Sequence, residues 1–258
     1  MKLLLILILF NESQDDQRLA RIIDKDGMTN VRSGPGLSFE VIDTIKTGEL
    51  FYCEPSHNND WYKATLLKWQ HSGQQVTGYV HKSRIQIIED LESEEQKAII
   101  LTVLKRQKQL ADKFVESNRR YNRVLKKWNN NTDSLAYKKS VGELELYSEN
   151  LYSPILRFLP KVICSTKDKK IISSLMETMW SDKGSASEDP SFSIGRCFAC
   201  DPELLSDQVR QLKNSEEKKL IIDQIEWGLS NIFETDENQK TPNTKFLELK
   251  KKLELVRD

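Results

Sequence analysis

Histidine is scarce in this sequence and confined to one end: His57, His71 and His81 are its three, and none follows His81. Cysteine is scarce too, with Cys164, Cys197 and Cys200 the only ones beyond Cys53. A zinc centre draws on about four Cys, His or carboxylate ligands. Three thiols without a nearby histidine fall short of that, so no metal or other cofactor is implied. A Cys–His nucleophile would have to bring its histidine from the other end of the chain. Excess charge of either sign is missing as well. Lys plus Arg and Asp plus Glu both number 39, which removes the electrostatic footprint of a nucleic-acid binder. The apolar run in "MKLLLILILF" is eight residues long, far short of the roughly 20 that cross a bilayer, and no transmembrane segment is predicted.

What is present is enough chain for two modest domains, at 258 residues, with 30% charged and 8% aromatic residues. That balance folds and favours amphipathic helix. The first residues pair Lys2 with the apolar run and exit into "NESQDDQ". A cationic start leading into about 7 to 15 apolar residues matches a signal-peptide core. Residues 1–13 therefore read as a signal peptide, with cleavage after Ser13 and a periplasmic or secreted destination. If the run is instead a buried first strand or helix start, the destination is cytoplasmic.

From Asp24 to about Ile88 the periodicity predicts strands and turns. "FEVIDTI" alternates so that Phe39, Val41 and Ile45 share a face, and "ELFYCE", "DWYKATLLKW" and "QQVTGYVHKSRIQII" follow, with Ser72-Gly73 as a hairpin turn. Five short strands in this length predict a small barrel or sandwich. In Ser33-Gly34-Pro35-Gly36 the glycines can supply backbone angles closed to other residues and Pro35 fixes its own, so chain reversal is sufficient reason for the motif. No Lys-Ser/Thr pair follows to make it a phosphate loop.

"NVRSGPGLSFEVIDTIKTGE", "DWYKA" and "GYVHKSRI", in this order, resemble the bacterial type of Src homology 3 domain over about residues 24–88. The resemblance implies a small half-open β-barrel that serves as a noncatalytic binding or targeting module, often in exported proteins that contact peptidoglycan or peptides. It assigns Asn30, Val31, Arg32, Gly34, Pro35 and, beside them, Gly36 to the signature strand and turn, and Trp61 and Gly78-Tyr79-Val80 to later strands. The hairpin "TLLKWQHSGQQVT" is longer than is usual for that family, which could reshape or block its groove. Of the aromatic residues, Trp61 reads as core, while Trp69, Tyr79 and Tyr62 are the candidate ligand-binding side chains, flat rings that give contact area at low entropic cost. Arg32 reads as a structural hydrogen-bond donor.

Past Ile88 the period changes. Ile100, Val103, Leu104, Leu110, Ala111, Phe114, Val115, Tyr121, Val124, Leu125 and Trp128 form a helical stripe without Pro or Gly, which predicts one long amphipathic helix. Further helices are predicted near 134–149, 151–165, 168–181, 202–213, 216–233 and 243–256, with Asp201-Pro202 and Thr241-Pro242 as cap-then-proline starts. Residues 181–200 read as a long Ser, Gly and Asp loop that ends in Cys197-Phe-Ala-Cys200. The three cysteines are inert thiols or, in an oxidising compartment, a disulfide of Cys164 with Cys197 or Cys200. The lysine clusters at 167–170 and 250–252 are solvated helix faces.

The expected fold is thus α+β and multidomain, a small SH3-like β-barrel at 24–90 followed by an all-α helical domain at 91–258. Two functions compete. One is a noncatalytic envelope-associated or secreted binding protein, its barrel recognising a cell-wall or peptide ligand and its helical domain serving as support or engaging a protein partner. The other is a cell-wall hydrolase with the barrel as targeting arm, since the resembled family often accompanies wall amidases and peptidases. The missing catalytic constellation favours binding.

Overall fold

The computed structural model describes residues 17–57, 60–68, 74–125, 131–182, 188–233 and 243–257. The expected signal peptide at 1–13, Trp69, the Ser72-Gly73 turn and Thr241-Pro242 lie outside the described residues. The chain divides after Leu91 into two compact units.

In the first unit, the described strands are β1 (Arg18–Ile22), β2 (Met28–Arg32), β3 (Val41–Lys46), β4 (Leu50–Pro55), β5 (Trp61–Lys68), β6 (Gln74–His81) and β7 (Ile85–Ile87). They form one antiparallel sheet in the order β3-β2-β6-β5-β4-β1-β7. The five strands expected become seven for two local reasons. β1 lies before Asp24, where strand structure was expected to begin; two of its five residues are arginine, which hides the burial of Leu19, Ala20 and Ile22. β7 is cut from β6 by a 3-10 turn at Lys82–Arg84, where the His81 side chain accepts from the Ser83 amide.

The core is made by Ile22, Val31, Ile45, Phe51, Leu66, Val80 and their buried neighbours. β5 and β6 pair without interruption from Trp61 opposite His81 to Lys68 opposite Gln74, so the long hairpin extends the sheet. The expected common face of Phe39, Val41 and Ile45 does not form. Ile45 is buried, whereas Phe39 and Val41 are exposed. Phe39 precedes β3, and the register between β2 and β3 shifts at Val31/Arg32, where a bulge breaks the alternation on which the expectation rested.

The second unit comprises, among the described residues, α1 (Ser93–Leu125), α2 (Asn131–Tyr147), α3 (Ser153–Thr166), α4 (Lys169–Ser181), α5 (Asp189–Cys200), α6 (Pro202–Arg210), α7 (Ser215–Phe233) and α8 (Thr244–Arg257). A π-helical turn, Ser148–Tyr152, joins α2 to α3 without a break, so two helices expected to be separate run as one. Pro154 enters the first turn of α3, where its missing N–H and bulky ring are accommodated by the widened turn before it. Asp168 caps α4 by accepting from the Lys170 and Ile171 amides, and Asp201 caps α6 by accepting from Leu204.

The long loop expected at 181–200 is overturned. Asp189–Cys200 is a helix with Pro190 in its first turn and Ile194, Cys197 and Phe198 fully buried. Its Ser and Gly content reflects packing. A Cβ on Gly195 would lie 2.8 Å from the Gly228 carbonyl carbon, and one on Gly228 would lie 2.0 Å from the Ser191 oxygen. The backbones of α5 and α7 approach so closely that larger side chains are excluded. Cys164 and Cys200 are disulfide-bonded, with Cα atoms 5.9 Å apart, which ties α3 to α5. Cys197 is a free, buried thiol. One helical turn before Cys200, it faces the packed interior, where burial raises its pKa well above the ordinary thiol value.

Candidate ligand-binding face

Among the described residues, the positive-φ glycines are Gly27 and Gly48, on either side of the β2-β3 hairpin. Gly34 and Gly36 were expected to supply such angles and do not. Gly34 is required for another reason: a Cβ there would lie 2.4 Å from two carbons of the Phe39 ring. The ring lies against the glycine, and the turn is closed beneath it by the Ser33 amide donating to the Glu40 oxygen at 2.9 Å and the Phe39 amide to the Gly36 oxygen at 3.3 Å. Arg32 completes the clamp. Its Nη1 donates to the Leu37 carbonyl at 3.1 Å and to the Phe39 carbonyl at 2.7 Å. This fixes the guanidinium at the base of the turn that Pro35 helps to shape.

The strand register then builds a row. Val41 stands opposite Arg32, Arg32 opposite Tyr79, Tyr79 opposite Lys63, and Lys63 opposite Glu54. Side chains directly opposite in an antiparallel pair share a face, so these five lie side by side across β3, β2, β6, β5 and β4. Their sequence neighbours Val31, Val80, Ala64 and Cys53 point the other way and are at most 1% exposed. The row is therefore the outer face of the barrel. Lys63 Nζ pairs with Glu54 at 2.8 Å. The hydrogen bond and charge of that carboxylate, with a smaller effect of the Tyr79 phenol, hold the ammonium pKa above its ordinary value. At the Arg32 end the surface is apolar: Leu37 is 78% exposed, and Phe39, Val41 and Ile42 are each exposed by more than two fifths.

Of the expected ligand-binding aromatics, Tyr79 and Tyr62 are not brought together. Tyr79 is half-buried on the outer face, but Tyr62 is one position out of phase with it, opposite Val80, and packs against the inner core. Trp61 is buried, edge to face with His81 at a centroid distance of 5.3 Å. Asn30 is exposed on β2 opposite Thr44. The residues that reading by motif missed are Leu37, Val41, Ile42, Lys63 and Glu54. The signal that finds Lys63 and Glu54 is register: once Arg32 is set opposite Tyr79, period-2 alternation places the others.

The helical unit buries a few polar groups. Gln107 is fully buried and donates from Nε2 to Ser148 Oγ at 2.8 Å and to Asp182 Oδ2 at 3.1 Å. Burial pushes the Asp182 carboxyl up to about 6, with the Gln107 bond acting in the opposite direction. The hydroxyls of Tyr152 and Ser193 are buried without a hydrogen-bond partner. Among the described residues, no three His, Cys, Asp or Glu side chains converge as a metal site would require.

A scan against protein families finds a match at residues 26–86 to the bacterial SH3 domain. The barrel of this chain is a bacterial SH3 domain. The match covers the turn, the clamp and the outer row, and stops before the helical unit. No curated protein and no solved structure matches the chain. Among the described residues, no helix of the SH3-bearing chain is long and apolar enough to cross a membrane.

Proposed function

We propose that this chain is a noncatalytic binding protein of the cell envelope or exterior, whose SH3 domain holds a cell-wall or peptide ligand on its outer face while the helical unit supports it or engages a protein partner. The observation that carries this reading is the row Val41-Arg32-Tyr79-Lys63-Glu54 continued by the exposed apolar turn. Exposed apolar side chains gathered beside ordered charged ones mark interaction surfaces, and an SH3 domain in bacteria is suited to wall and peptide ligands. The N-terminal apolar run supports export. The buried free cysteine of the helical unit, Cys197, supports a noncatalytic role, since a nucleophile has to be reachable.

The test is sedimentation of the purified chain with isolated peptidoglycan, alongside a turbidity assay of the same mixture. Co-sedimentation with constant turbidity is the expected outcome. Falling turbidity would establish wall hydrolysis with the barrel as targeting arm, and an absence of co-sedimentation would remove the wall as ligand.

A further inference from the structure

The barrel carries one guanidinium that is held in place yet lacks an ionic partner among the described residues. Arg32 spends one nitrogen, Nη1, on two backbone carbonyls. No described residue accepts from its Nε or Nη2, and no described carboxylate lies within ion-pair distance of it. The contrast with its neighbours is informative. Lys63, two strands away in the same row, is paired with Glu54, and Arg84 at the far end of the barrel is paired with Asp24 at 2.8 Å. A guanidinium presents five N–H donors in a planar fork that matches a carboxylate. Anchoring that fork through one nitrogen removes most of the rotamer entropy that an arginine otherwise loses on binding. Tyr79 stands directly across the ladder from it, and Leu37, Phe39 and Val41 supply exposed apolar surface near it.

We infer that Arg32, with Tyr79, is the anchor for a free carboxylate of a peptide ligand whose small apolar side chains lie on the turn from Leu37 to Val41. This rests on the reading of the outer face as the ligand surface. Charge complementarity selects an anion, the planar fork selects a carboxylate geometry, and the apolar rim selects a peptide with alkyl side chains next to that group.

The experiment uses the full chain and purified peptidoglycan in two forms, one with its stem-peptide carboxylates free and one with them converted to amides by carbodiimide and ammonium. Amidation is expected to weaken binding about tenfold, the loss of one charge-assisted hydrogen-bonded pair. Arg32→Lys, which keeps the charge and loses the fork, is expected to weaken binding to the native wall comparably and to leave binding to the amidated wall nearly unchanged. A melting curve establishes that the variant is folded. Should Arg32→Lys open the turn and unfold the barrel, competition on the wild-type chain decides instead: N-acetyl-alanyl-alanine should displace the native wall, and its C-terminal amide should not. Equal binding to both walls would overturn the carboxylate anchor while leaving the ligand face intact. Binding to neither would overturn the ligand face itself.

Discussion

The two units of this chain differ in the polar groups that stand out: an ordered row on the outer face of the barrel, and a buried Gln107–Asp182 pair in the helical unit. In the barrel, Arg32, Tyr79 and Lys63 are on the outer face, and Asp24 and Thr29 are the buried polar residues of a mainly apolar interior among the described residues. In the helical unit, Gln107 and Asp182 are buried and hydrogen-bonded to each other. A group offered to solvent can exchange water for a ligand, whereas a buried one is committed to partners within the fold and makes packing specific. The proposed function assigns recognition to the barrel and support to the helical unit, a contrast that four perturbations should sharpen or break.

The largest effect is expected from the disulfide, which exists only in the helical unit. Cys164 and Cys200 close a loop of sequence separation 36, worth about 4 kcal/mol in the loop-entropy account. Reduction should lower the stability of the helical unit by that amount, seen as a lower melting transition, and leave wall binding as it was. An unshifted transition would show that the tie contributes nothing to rigidity.

Next is Gly228→Val. Its Cβ would meet the Ser191 backbone oxygen, and overpacking of this kind costs about 3 kcal/mol. Loss of helical ellipticity at reduced temperature, with the barrel still binding, is the expected outcome; a variant as stable as the parent would mean that α5 and α7 do not pack as closely as described.

Gly34→Val is expected to destabilise the barrel by about 2 kcal/mol through collision with the Phe39 ring. The added change Phe39→Ala should restore much of this, because it removes the obstacle. Amide exchange of β2 and β6 in the full chain would measure both effects. Failure of Phe39→Ala to help would move the cause from the ring to the backbone.

The smallest effect concerns Asp182. Its folded pKa, about 6, is above that of an unfolded carboxyl, so its stabilising contribution is present in acid and lost as the pH rises through about 6. The helical unit should therefore gain roughly 1 kcal/mol between pH 7.5 and pH 5 from this group. Asp182→Asn should flatten that part of the profile. An unchanged pH dependence in the variant would assign the titration elsewhere.

The barrel was more legible from sequence than the helical unit. Its turn and strand signature is local, so "NVRSGPG" and "GYV" could be read directly. Arg32 could be recognised as a donor for the same reason. The pairing of Tyr62 with Tyr79 as one ligand platform failed because each was judged as an aromatic, and only the register opposite Val80 and Lys63 assigns them to different faces. In the helical unit, α1 was legible from its long apolar stripe. The α5 helix was not: its small residues, which give local reading the signature of a loop, are there because α7 lies against them.

What the amino-acid sequence determined by itself is what depends on neighbours a few positions apart: strand and helix periods, the caps at Asp168 and Asp201, and the SH3-like order of motifs. What the tertiary structure alone decided depends on residues far apart in the chain: the glycines at 195 and 228, each required by the other's helix, the partner of Cys164, and the row that sets Arg32 beside Tyr79 and Lys63. Periodicity records which side of an element is buried. It does not record what lies against that side, because that is set by register and packing between segments whose separation in sequence carries no local trace.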